Sequence, residues 1–436
     1  MIRMKMQKLS RRMFLRLAAG TTAAVALAGC QPATPQAAIE TVTPGKPPAA
    51  EMVNLVFWNS IGPPEGILMQ EFMNRWENTQ PNVKLNQWTT EVSTFLTKLK
   101  LAIAQQTLPD LAIIQPWRIA AYADVAFKPI DSLLAAQSAL TADMFKDAPW
   151  KAMQFKGKQY GFPMEEFLFA LYYNVTILQN AGVTPPQSEA DLVEIAKKFT
   201  QPPQMWGFAH PSGDGKASTY DFTAFLAHEG QKGYISEDGT KAAFNNEAGL
   251  KAAQRMYDDE YTDNITPDPS RGLDTSQLFL DSKVAFRLGG TWEKFSFDSV
   301  KNLNFQSIVF TPKEPGTWGG THNFVFTMAN GEQRAKAAWD AASWVVLNCD
   351  TEFCIRSGHI PALIKSATDQ TYLDASVNMQ GFKDSVPYMV GLPKIAKLDE
   401  VQEALTSSLN EMFLNTKPPK QALAEAETKV NAILAS

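Results

Sequence analysis

Three short apolar segments alternate with two segments of helical periodicity near the start of the chain, and this alternation constrains the fold more than any other feature. The segments MVNLVFW (Met52–Trp58), NVKLNQW (Asn82–Trp88) and LPDLAIIQ (Leu108–Gln115) have the length and composition of strands. Between them, EGILMQEFMNRWEN and VSTFLTKLKLAIAQQ repeat apolar residues every three or four positions, as amphipathic helices do. The order βαβαβ predicts parallel strands joined by right-handed crossovers, and therefore an α/β fold.

The length of the chain predicts at least two domains, since 436 residues exceed what one ordinary hydrophobic core occupies. A later segment, GKQYGFPMEEFLFALYYN (Gly157–Asn174), has an extended character over an unusually long distance. We expect this segment to pass from one domain to the other.

Residues 1–29 have the features of an export signal. Six basic residues and no acidic one precede an apolar run of 13 residues, Leu17–Gly29, which is shorter than the roughly 20 residues that span a bilayer as a helix. The pair Arg11-Arg12 resembles a Tat signal, and Leu27–Cys30 resembles a lipoprotein box, which implies cleavage before Cys30 and lipidation of its sulfur. The alternatives are a Sec signal with a chance cysteine and an uncleaved segment.

Residues 30–50 follow with a composition rich in Pro, Ala and Thr, which predicts a disordered tether. Without the six basic residues of the signal, 34 basic residues stand against 45 acidic ones, and the net charge changes from −5 to −11. An acidic protein of this kind is not expected to bind nucleic acid or to adhere to anionic lipid through its surface.

The sequence lacks the short motifs of common catalytic and metal sites. Its four histidines, His210, His228, His322 and His359, are far apart and have no metal-ligand spacing, so no metal is expected. There is no Gly-rich phosphate loop with Lys-Ser/Thr and no G-x-S-x-G segment, so no cofactor is expected either. These absences favour a binding protein over an enzyme without excluding the enzyme.

The pair of carboxylates Glu65 and Glu165 keeps the enzyme alternative open. A glycosidase needs two carboxylates roughly 5–10 Å apart across its substrate. Glu165 and Glu166 are adjacent and point to opposite faces of a strand, so they cannot flank one bond. Glu65 and Glu165 could meet the spacing only through the tertiary fold. The simpler interpretation of Glu65 is an acidic residue at a helix N-terminus, where the helix dipole stabilises it.

Cys349 and Cys354 lie close together in the segment LNCDTEFCIRSG. In an oxidising compartment they could form a small disulfide loop. Alternatively, they are two thiols on or near helix ends, buried as small apolar groups. The local spacing does not decide between these alternatives, because a disulfide depends on the separation and direction of the Cβ atoms.

Several loops at predicted strand ends combine an indole ring with side chains that form hydrogen bonds. They are Trp58-Asn59, Gln115 with Trp117 and Arg118, Trp292-Glu293, and GTWGGTHNF (Gly316–Phe324). Sugars have apolar faces that stack on aromatic rings and a rim of hydroxyls that amides, carboxylates and guanidinium groups bind. Core packing is the alternative for any single tryptophan, but four such segments together indicate a shared ligand site.

The order of several segments along the chain resembles that of a known protein family. These segments are the lipoprotein box, NLVFWNS, PDLAIIQPW, GKQYGFPMEEFLFALYYN, SKVAFRLGGTWEKF, GGTHNFVFTMANGEQRAKAAWDAASWVVLN and SGHIPAL. Together they resemble the family 1 extracellular solute-binding proteins of bacterial ABC transporters, the group that contains maltose-binding and other sugar-binding proteins. The resemblance covers residues 52–436 and rests on order and spacing, since no single motif is strongly specific.

The resemblance implies an α/β fold of two lobes, the type II periplasmic-binding-protein-like fold, in which three crossover segments join the lobes. The implied N-terminal lobe contains residues 51–165 and 286–326, and the implied C-terminal lobe contains residues 166–285 and 327–436. We expect the crossings near Pro163–Leu171, Val284–Arg287 and Phe324–Met328. The two lobes would close on a ligand between them by a hinge motion.

The resemblance also implies which residues contact the ligand. The matching positions are Trp58, Asn59, Glu65, Glu165, Phe167, Trp292, Gly319 and Gly320, with Trp318, His322 and Asn323 nearby and Tyr388 contributed by the distal lobe. Gln115 and Trp117 stand where the family often has an acidic residue. Trp292, in the motif G-x-W, is the expected stacking platform. For His322, a surface histidine without a function is the alternative.

The implied function is that of a receptor that binds a sugar or oligosaccharide and delivers it to the permease subunits of an ABC importer. We expect an exported, lipid-anchored monomer at the outer face of the plasma membrane that performs no chemistry of its own. Two alternatives stand beside it: a secreted carbohydrate-active enzyme such as a glycosidase, and a glycan-binding lipoprotein that is not coupled to transport.

Overall fold

A computed structural model of the protein describes residues 51–136, 139–211, 219–267, 273–313 and 315–436. The predicted export signal, the lipidation site Cys30 and the tether up to residue 50 lie outside these ranges. None of the helices in the described ranges combines the length and the apolar character that a bilayer crossing demands.

The strands alternate with helices through most of the described chain. The strands are β1 (Val53–Asn59), β2 (Val83–Thr89), β3 (Leu111–Ile114), β4 (Gln154–Phe155), β5 (Lys158–Gln159), β6 (Gly161–Asn174), β7 (Trp206–Ala209), β8 (Val284–Gly290), β9 (Phe305–Ile308), β10 (Thr317–Phe326), β11 (Ile360–Pro361) and β12 (Met389–Val390).

The helices fall into short connectors and a few long, amphipathic elements. They are α1 (Glu65–Glu77), α2 (Val92–Gln105), α3 (Ile119–Tyr122), α4 (Asp131–Ala136), α5 (Asp147–Ala152), α6 (Val175–Ala181), α7 (Glu189–Phe199), α8 (Thr219–His228), α9 (Glu247–Tyr261), α10 (Thr275–Leu280), α11 (Glu293–Asp298), α12 (Glu332–Ser357), α13 (Ile364–Ala367), α14 (Gln370–Ala375), α15 (Gln380–Ser385), α16 (Leu398–Phe413) and α17 (Pro419–Ala435).

The first sheet confirms the predicted βαβαβ start of the chain. Strand β1 pairs in parallel with β2 along its whole length and with β3 at Phe57–Asn59. Leu55 and Phe57 are fully buried in a core shared with α1 and α12. Trp58 lies on the opposite face of the strand, in a second core shared with α2. Helices therefore cover both faces of this parallel sheet, as its apolar strands require.

Two long strands belong to both halves of the fold. The first part of β6 pairs with β10, and its second part, from Phe169 onward, pairs with β8 and β9. Strand β10 in turn pairs with β3 of the first sheet at Asn323–Phe326. The expected crossing at Pro163–Leu171 lies within β6. These two strands connect the first sheet to the second and give the α/β fold its two lobes.

The second lobe contains the far part of β6 together with β7, β8 and β9. Its core joins apolar residues of β8, such as Phe286 and Leu288, with residues of α8, α9, α16 and α17. Helices from the middle of the chain and from its C-terminal end therefore pack on the same sheet.

The predicted lobe boundaries differ from the structure in two places. Residues 286–326 were assigned to the N-terminal lobe, but β8 lies between β6 and β7 in the second sheet. Residues 327–436 were assigned to the C-terminal lobe, but α12 packs on the first sheet, where Trp339 shares a core with Phe57. The reason is that α12 packs beside α1 on the same face of the first sheet and completes the apolar cover of that face.

The third passage between the lobes also lies elsewhere than predicted. Helix α14 contacts α12 of the first lobe, whereas the short helical turn Val377–Met379 contacts β9 of the second lobe. The chain therefore crosses between Ala375 and Val377, and the expected crossing at Val284–Arg287 is wrong because that segment is an interior strand of the second sheet.

The cysteine pair is not bridged. Cys349 and Cys354 both lie within α12, and both are buried free thiols. Residues five positions apart on an α-helix point in different directions, so their Cβ atoms cannot reach disulfide geometry. The alternative of two buried thiols is therefore the correct one.

Candidate functional site

The strands that connect the two sheets bring several predicted site residues together. In the register of β6 against β10, Glu165 lies opposite His322 and Phe167 lies opposite Gly320. Residues that are more than 150 positions apart in the sequence thus become neighbours at the junction of the two lobes.

An aromatic cluster occupies this junction, and we define it as Trp117, Phe167, Phe169, Trp292 and Trp318. The ring centroid of Phe167 lies 6.0 Å from that of Trp117, 6.1 Å from Trp292 and 5.6 Å from Trp318. The centroid of Phe169 lies 4.8 Å from that of Trp318. These pairs are tilted or edge-on, which the charge distribution of aromatic rings favours. The cluster joins residues that follow β3 and β8 to residues of both connecting strands.

Trp292 differs from the other members of the aromatic cluster in its exposure. The others expose no more than 3% of their surface, whereas Trp292 is half-buried. Tyr220, which is also half-buried, stacks on Trp318 with ring centroids 4.2 Å apart. Trp292 and Tyr220 therefore keep part of their ring surface exposed, and the buried rings hold them in place.

Two glycines make room for the indole rings. A Cβ atom at Gly290 would lie 2.3 Å from the ring of Trp292, and one at Gly320 would lie 2.5 Å from the ring of Trp117. Both distances are far shorter than van der Waals contact, so a side chain at either position would displace the indole. Gly290 thus lets Trp292 fold back over the strand that precedes it.

A polar group lies beside the aromatic cluster, and we call its four residues, Glu65, Glu165, His322 and His359, the carboxylate–histidine cluster. His322 reaches Glu165 from β10 on one side of β6. His359 precedes β11, which pairs with β6 on the other side, with Pro361 opposite Glu165. Glu65 is the first residue of α1. All four side chains are buried.

The distances within the carboxylate–histidine cluster place Glu165 at its centre. Glu165 Oε1 lies 2.5 Å from His322 Nδ1, and Glu165 Oε2 lies 3.8 Å from His359 Nδ1. On the far side of the second imidazole, His359 Nε2 lies 3.3 Å from Glu65 Oε1. The hydroxyl of Thr291, next to Trp292 in the chain, lies 2.7 Å from His359 Nδ1. Thr291 therefore connects this cluster to the aromatic one.

Burial determines the ionisation of the carboxylate–histidine cluster. It raises the pKa of the Glu165 carboxyl to about 8 and lowers the pKa of the His322 imidazole to about 4. Burial would also lower the pKa of His359, but Glu165 and Glu65 outweigh it and raise this pKa above the usual value. Near neutral pH, His322 is therefore uncharged and Glu165 is largely protonated.

Several polar atoms of the site have no hydrogen-bond partner among the described residues. They are Glu165 Oε2, Asn59 Nδ2, Trp117 Nε1 and Trp318 Nε1, while Glu65 Oε1 and His359 Nε2 face each other at 3.3 Å without an aligned hydrogen bond. Buried atoms of this kind are rare in folded proteins. They can exchange hydrogen bonds with the hydroxyls of a ligand or with water.

Trp58, one of the predicted ligand-binding residues, lies in the core of the first lobe. Its ring centroid is 5.5 Å from that of Trp88 and 6.5 Å from that of Phe95. The ammonium group of Lys98 lies 4.1 Å from the ring centroid. The adjacent Asn59 accepts a hydrogen bond from the backbone N–H of Ile61, at 3.0 Å, through its side-chain oxygen. The structure therefore gives Trp58 a packing role.

Glu293 and Asn323 each have structural partners. Glu293 accepts two hydrogen bonds from the guanidinium group of Arg287, at 2.8 and 2.6 Å. The side-chain amide of Asn323 donates to the backbone carbonyl of Ile114 at 3.2 Å, which ties β10 to β3. These contacts give both side chains a structural role.

Arg118 forms an ion pair with Asp399 of α16, and Lys100 lies 3.1 Å from the same carboxylate. Arg118 follows β3 in the first lobe, whereas α16 belongs to the second lobe, so this ion pair joins the two. Gln115, which precedes the turn that carries Arg118, is buried at the end of β3.

Tyr388 is not a member of the aromatic cluster, although it directly precedes β12, which pairs with β10 at Thr317 and Trp318. It is 46% exposed and lines a separate pocket of about 500 Å³ together with Lys232, Pro315 and Met389 of the second lobe. His322, in contrast, is not the surface histidine that was considered as an alternative, since it is buried against Glu165.

Four residues that the structure brings to the site are not among those predicted from the sequence: Phe169, Tyr220, His359 and Asp399. His359 was considered only for its spacing from the other histidines along the chain. It stands in SGHIPAL, one of the segments that carry the family resemblance, and this was an available signal. Asp399 lies in a segment predicted only as an amphipathic helix, and nothing local in the sequence indicates its partner.

Comparison with protein families identifies a match to bacterial extracellular solute-binding proteins over residues 70–376. Among curated proteins, a protein of Brucella abortus (strain 2308) that is named as a binding protein is 22% identical over 381 residues, covering 85% of this chain and 90% of that protein. The maltodextrin-binding protein MdxE of Bacillus subtilis (strain 168) is 24% identical over 301 residues, covering 66% of this chain and 63% of that protein.

Among solved structures, the ABC substrate-binding protein Lmo0181 from Listeria monocytogenes, in complex with cycloalternan, is similar with a TM-score of 0.79. It is 20% identical to this chain and covers 88% of this chain and 100% of its own. This likeness shows that the two proteins share their fold.

Proposed function

The chain belongs to the family of bacterial extracellular solute-binding proteins, and from this premise we propose that it is the substrate-binding receptor of an ABC importer with a sugar or oligosaccharide as its ligand. The ligand binds between the two lobes, at the aromatic cluster. The protein then delivers it to the permease subunits in the membrane.

The observation that carries this proposal is the half-buried indole of Trp292 beside buried polar atoms that have no hydrogen-bond partner in the described part of the chain. The Trp292 ring contacts Phe167, whose own ring lies 4.5 Å from His322 of the carboxylate–histidine cluster. A pyranose presents the same two surfaces, an apolar face and a rim of hydroxyls. The relatives named for maltodextrin and solved with cycloalternan support a carbohydrate ligand.

The ion pair of Arg118 with Asp399 supports closure of the lobes around the ligand. The two charges come from different lobes, so the pair forms only when the lobes approach each other. Closure is thus favoured both by the ligand and by this contact, and it changes the surface that the permease meets.

We also propose that the protein is exported and attached to the outer face of the plasma membrane through a lipid on Cys30. The basic and apolar pattern of residues 1–29 and the lipoprotein box support this location. We propose a monomer without a nucleic-acid partner, in keeping with the acidic charge. Replacement of Cys30 by Ser should release the protein from the membrane fraction, and an unchanged membrane fraction would contradict the lipid anchor.

A carbohydrate-active enzyme is the second candidate function, because Glu65 and Glu165 lie on either side of the His359 imidazole. We favour binding without turnover, since both carboxyl groups are buried and each faces a histidine. An oligosaccharide that binds should therefore be recovered intact after long incubation with the protein. Hydrolysis that Glu165→Gln abolishes would instead support the enzyme.

The test of the ligand class is a panel of mono- and oligosaccharides, with tryptophan fluorescence and the melting temperature as readouts. We expect one sugar to shift both, since Trp292 is in the site and ligand binding stabilises the folded state. A panel without any shift would overturn the carbohydrate assignment. Isothermal titration then distinguishes a receptor, with one ligand per chain, from a glycan-binding lipoprotein that binds a polymer at many positions.

A further inference from the structure

We propose that Glu165, His322 and His359 form a binding site for a divalent transition-metal ion such as Zn²⁺, with Glu65 as the outer partner of His359. The site lies beside the aromatic cluster. It was not expected from the sequence, because the three residues are far apart along the chain.

The strand register assembles the three ligands around one position of β6. His322 on β10 and the segment of His359 before β11 flank Glu165 from opposite sides. One ligand atom from each of the three side chains lies within 4.8 Å of the other two. Sheet pairing fixes the backbone at Glu165 and His322, so the site is largely formed before an ion arrives.

The chemistry of the three side chains matches the preference of zinc. Zn²⁺ binds imidazole nitrogen and carboxylate oxygen, and two histidines with one glutamate are a known set of three protein ligands that leaves a fourth position open. His322 Nδ1 already lies 2.5 Å from Glu165 Oε1, so ligand atoms of two of the three side chains converge on one point.

Glu65 completes the arrangement from the other side of His359. A histidine that ligates a metal through one ring nitrogen commonly donates its other N–H to a carboxylate, which orients the ring. Here Nδ1 of His359 faces Glu165, 3.8 Å away, while Nε2 faces Glu65, 3.3 Å away. Ion binding at Nδ1 would displace the hydroxyl of Thr291, which lies 2.7 Å from that nitrogen.

The unpaired atoms of the cluster distinguish it from an ordinary buried hydrogen-bond network. Glu165 Oε2 and His359 Nε2 are buried, and within the described ranges neither has an aligned hydrogen bond. An ion would satisfy Glu165 Oε2 directly, and it would fix the tautomer that directs Nε2–H of His359 toward Glu65.

A second group, Glu189, His228 and Glu229, also has spacing compatible with a metal and provides a matched control. His228 in that group already contacts the hydroxyl of Thr311. A variant at His228 removes one histidine from the protein, as a variant at His359 does, but it leaves the proposed site intact.

The experiment is a calorimetric titration of the chelator-treated full chain with ZnCl₂. We expect one equivalent to bind, the melting temperature to rise, and His359→Gln to weaken binding at least about 100-fold. His228→Gln should bind Zn²⁺ as the unmodified protein does. The proposal would be overturned if His359→Gln bound Zn²⁺ as tightly as the unmodified protein. It would also be overturned if the unmodified protein showed no saturable binding.

Cobalt absorption provides a measurement that does not depend on the stability of a variant. Co²⁺ added to the unmodified chain should give the intense visible bands of a tetrahedral site, and stoichiometric Zn²⁺ should abolish them. Bands that persist after Zn²⁺ addition, or that are absent throughout, would contradict a shared site. Neither readout uses a sugar, so failure here would leave the proposed receptor function intact.

Discussion

The guanidinium group of Arg118 and the carboxylate of Asp399 form an ion pair that joins the two lobes. Arg118 follows β3 in the first lobe and its side chain is only 6% exposed, whereas Asp399 lies in the first turn of α16 in the second lobe. Lys100, also from the first lobe, lies beside the same carboxylate. Asp399 therefore receives two positive charges across the gap between the lobes.

Asp399→Asn should favour the open arrangement of the lobes. Loss of the charge leaves Arg118 poorly solvated in the closed form, at a cost of about 1–2 kcal/mol, between the values for exposed and buried pairs. Ligand affinity should fall roughly tenfold as a result, and small-angle scattering should give a larger radius of gyration. Glu400→Gln is the control, since it removes the charge of an exposed neighbour. Equal effects of both variants would mean that net charge, not this contact, matters.

Trp292→Ala should weaken ligand binding far more than it lowers stability. The ring is half-buried, so its loss leaves little cavity, but it removes the surface on which the sugar stacks. We expect affinity to fall at least about tenfold in a fluorescence or calorimetric titration. Trp58→Ala is the matched control, because that ring is in the core, and its loss should lower the free energy of unfolding by about 3–5 kcal/mol. Comparable losses of affinity and stability in Trp292→Ala would assign this residue to packing.

Asp350→Asn should change how stability depends on pH. Burial raises the pKa of Asp350 in α12 to about 7, whereas in the unfolded chain the carboxyl titrates near its usual value of about 4. Between these values the folded state holds a proton that the unfolded state has lost, so stability falls as pH rises through this window. The amide removes this loss, and above pH 7 the variant should gain on the order of 4 kcal/mol relative to the unmodified protein.

Denaturant unfolding at pH 4 and pH 8 measures this difference. Asp340→Asn is the control on the same helix, because Asp340 pairs with Lys336 at the surface. If the free energy of unfolding of Asp350→Asn differs between pH 4 and pH 8 as much as that of the unmodified protein does, the assignment to Asp350 is contradicted.

The two cysteines of α12 should be unreactive in the folded protein. Both are buried, and burial raises the pKa of Cys349 to about 11, so very little thiolate forms near neutral pH. A thiol reagent should label neither residue in the native state and both in denaturant, with or without prior reduction. If the two cysteines could be labelled in denaturant only after prior reduction, they would form a disulfide.

The local elements of the first sheet were predictable because their signals are local. The alternation of apolar segments and helical periodicity at residues 52–115 identified β1, β2 and β3 with their helices, and the parallel pairing followed. The lobe boundaries were not predictable in this way, because α12 joins the first lobe through contacts with residues almost 300 positions away.

Most residues of the aromatic cluster and of the carboxylate–histidine cluster were among the positions predicted from the sequence, and His359 and Phe169 were not. Trp117, Trp292 and Trp318 each stand near a strand end with polar neighbours, and the structure places them in one cluster. Trp58 has the same local pattern but lies on the face of β1 that packs under α2, which the pattern does not reveal. His359 reaches Glu165 only through the pairing of β11 with β6, and no spacing rule along the chain contains that information.

The 14-residue strand β6 has a consequence for how the molecule folds. Because the same strand contributes to the sheet of each lobe, neither lobe has a complete set of strands without it. Fragments cut at the lobe junction would each carry an unpaired edge, and the two halves should therefore melt together in one cooperative transition. The receptor could then open and close its lobes while remaining, thermodynamically, a single folding unit.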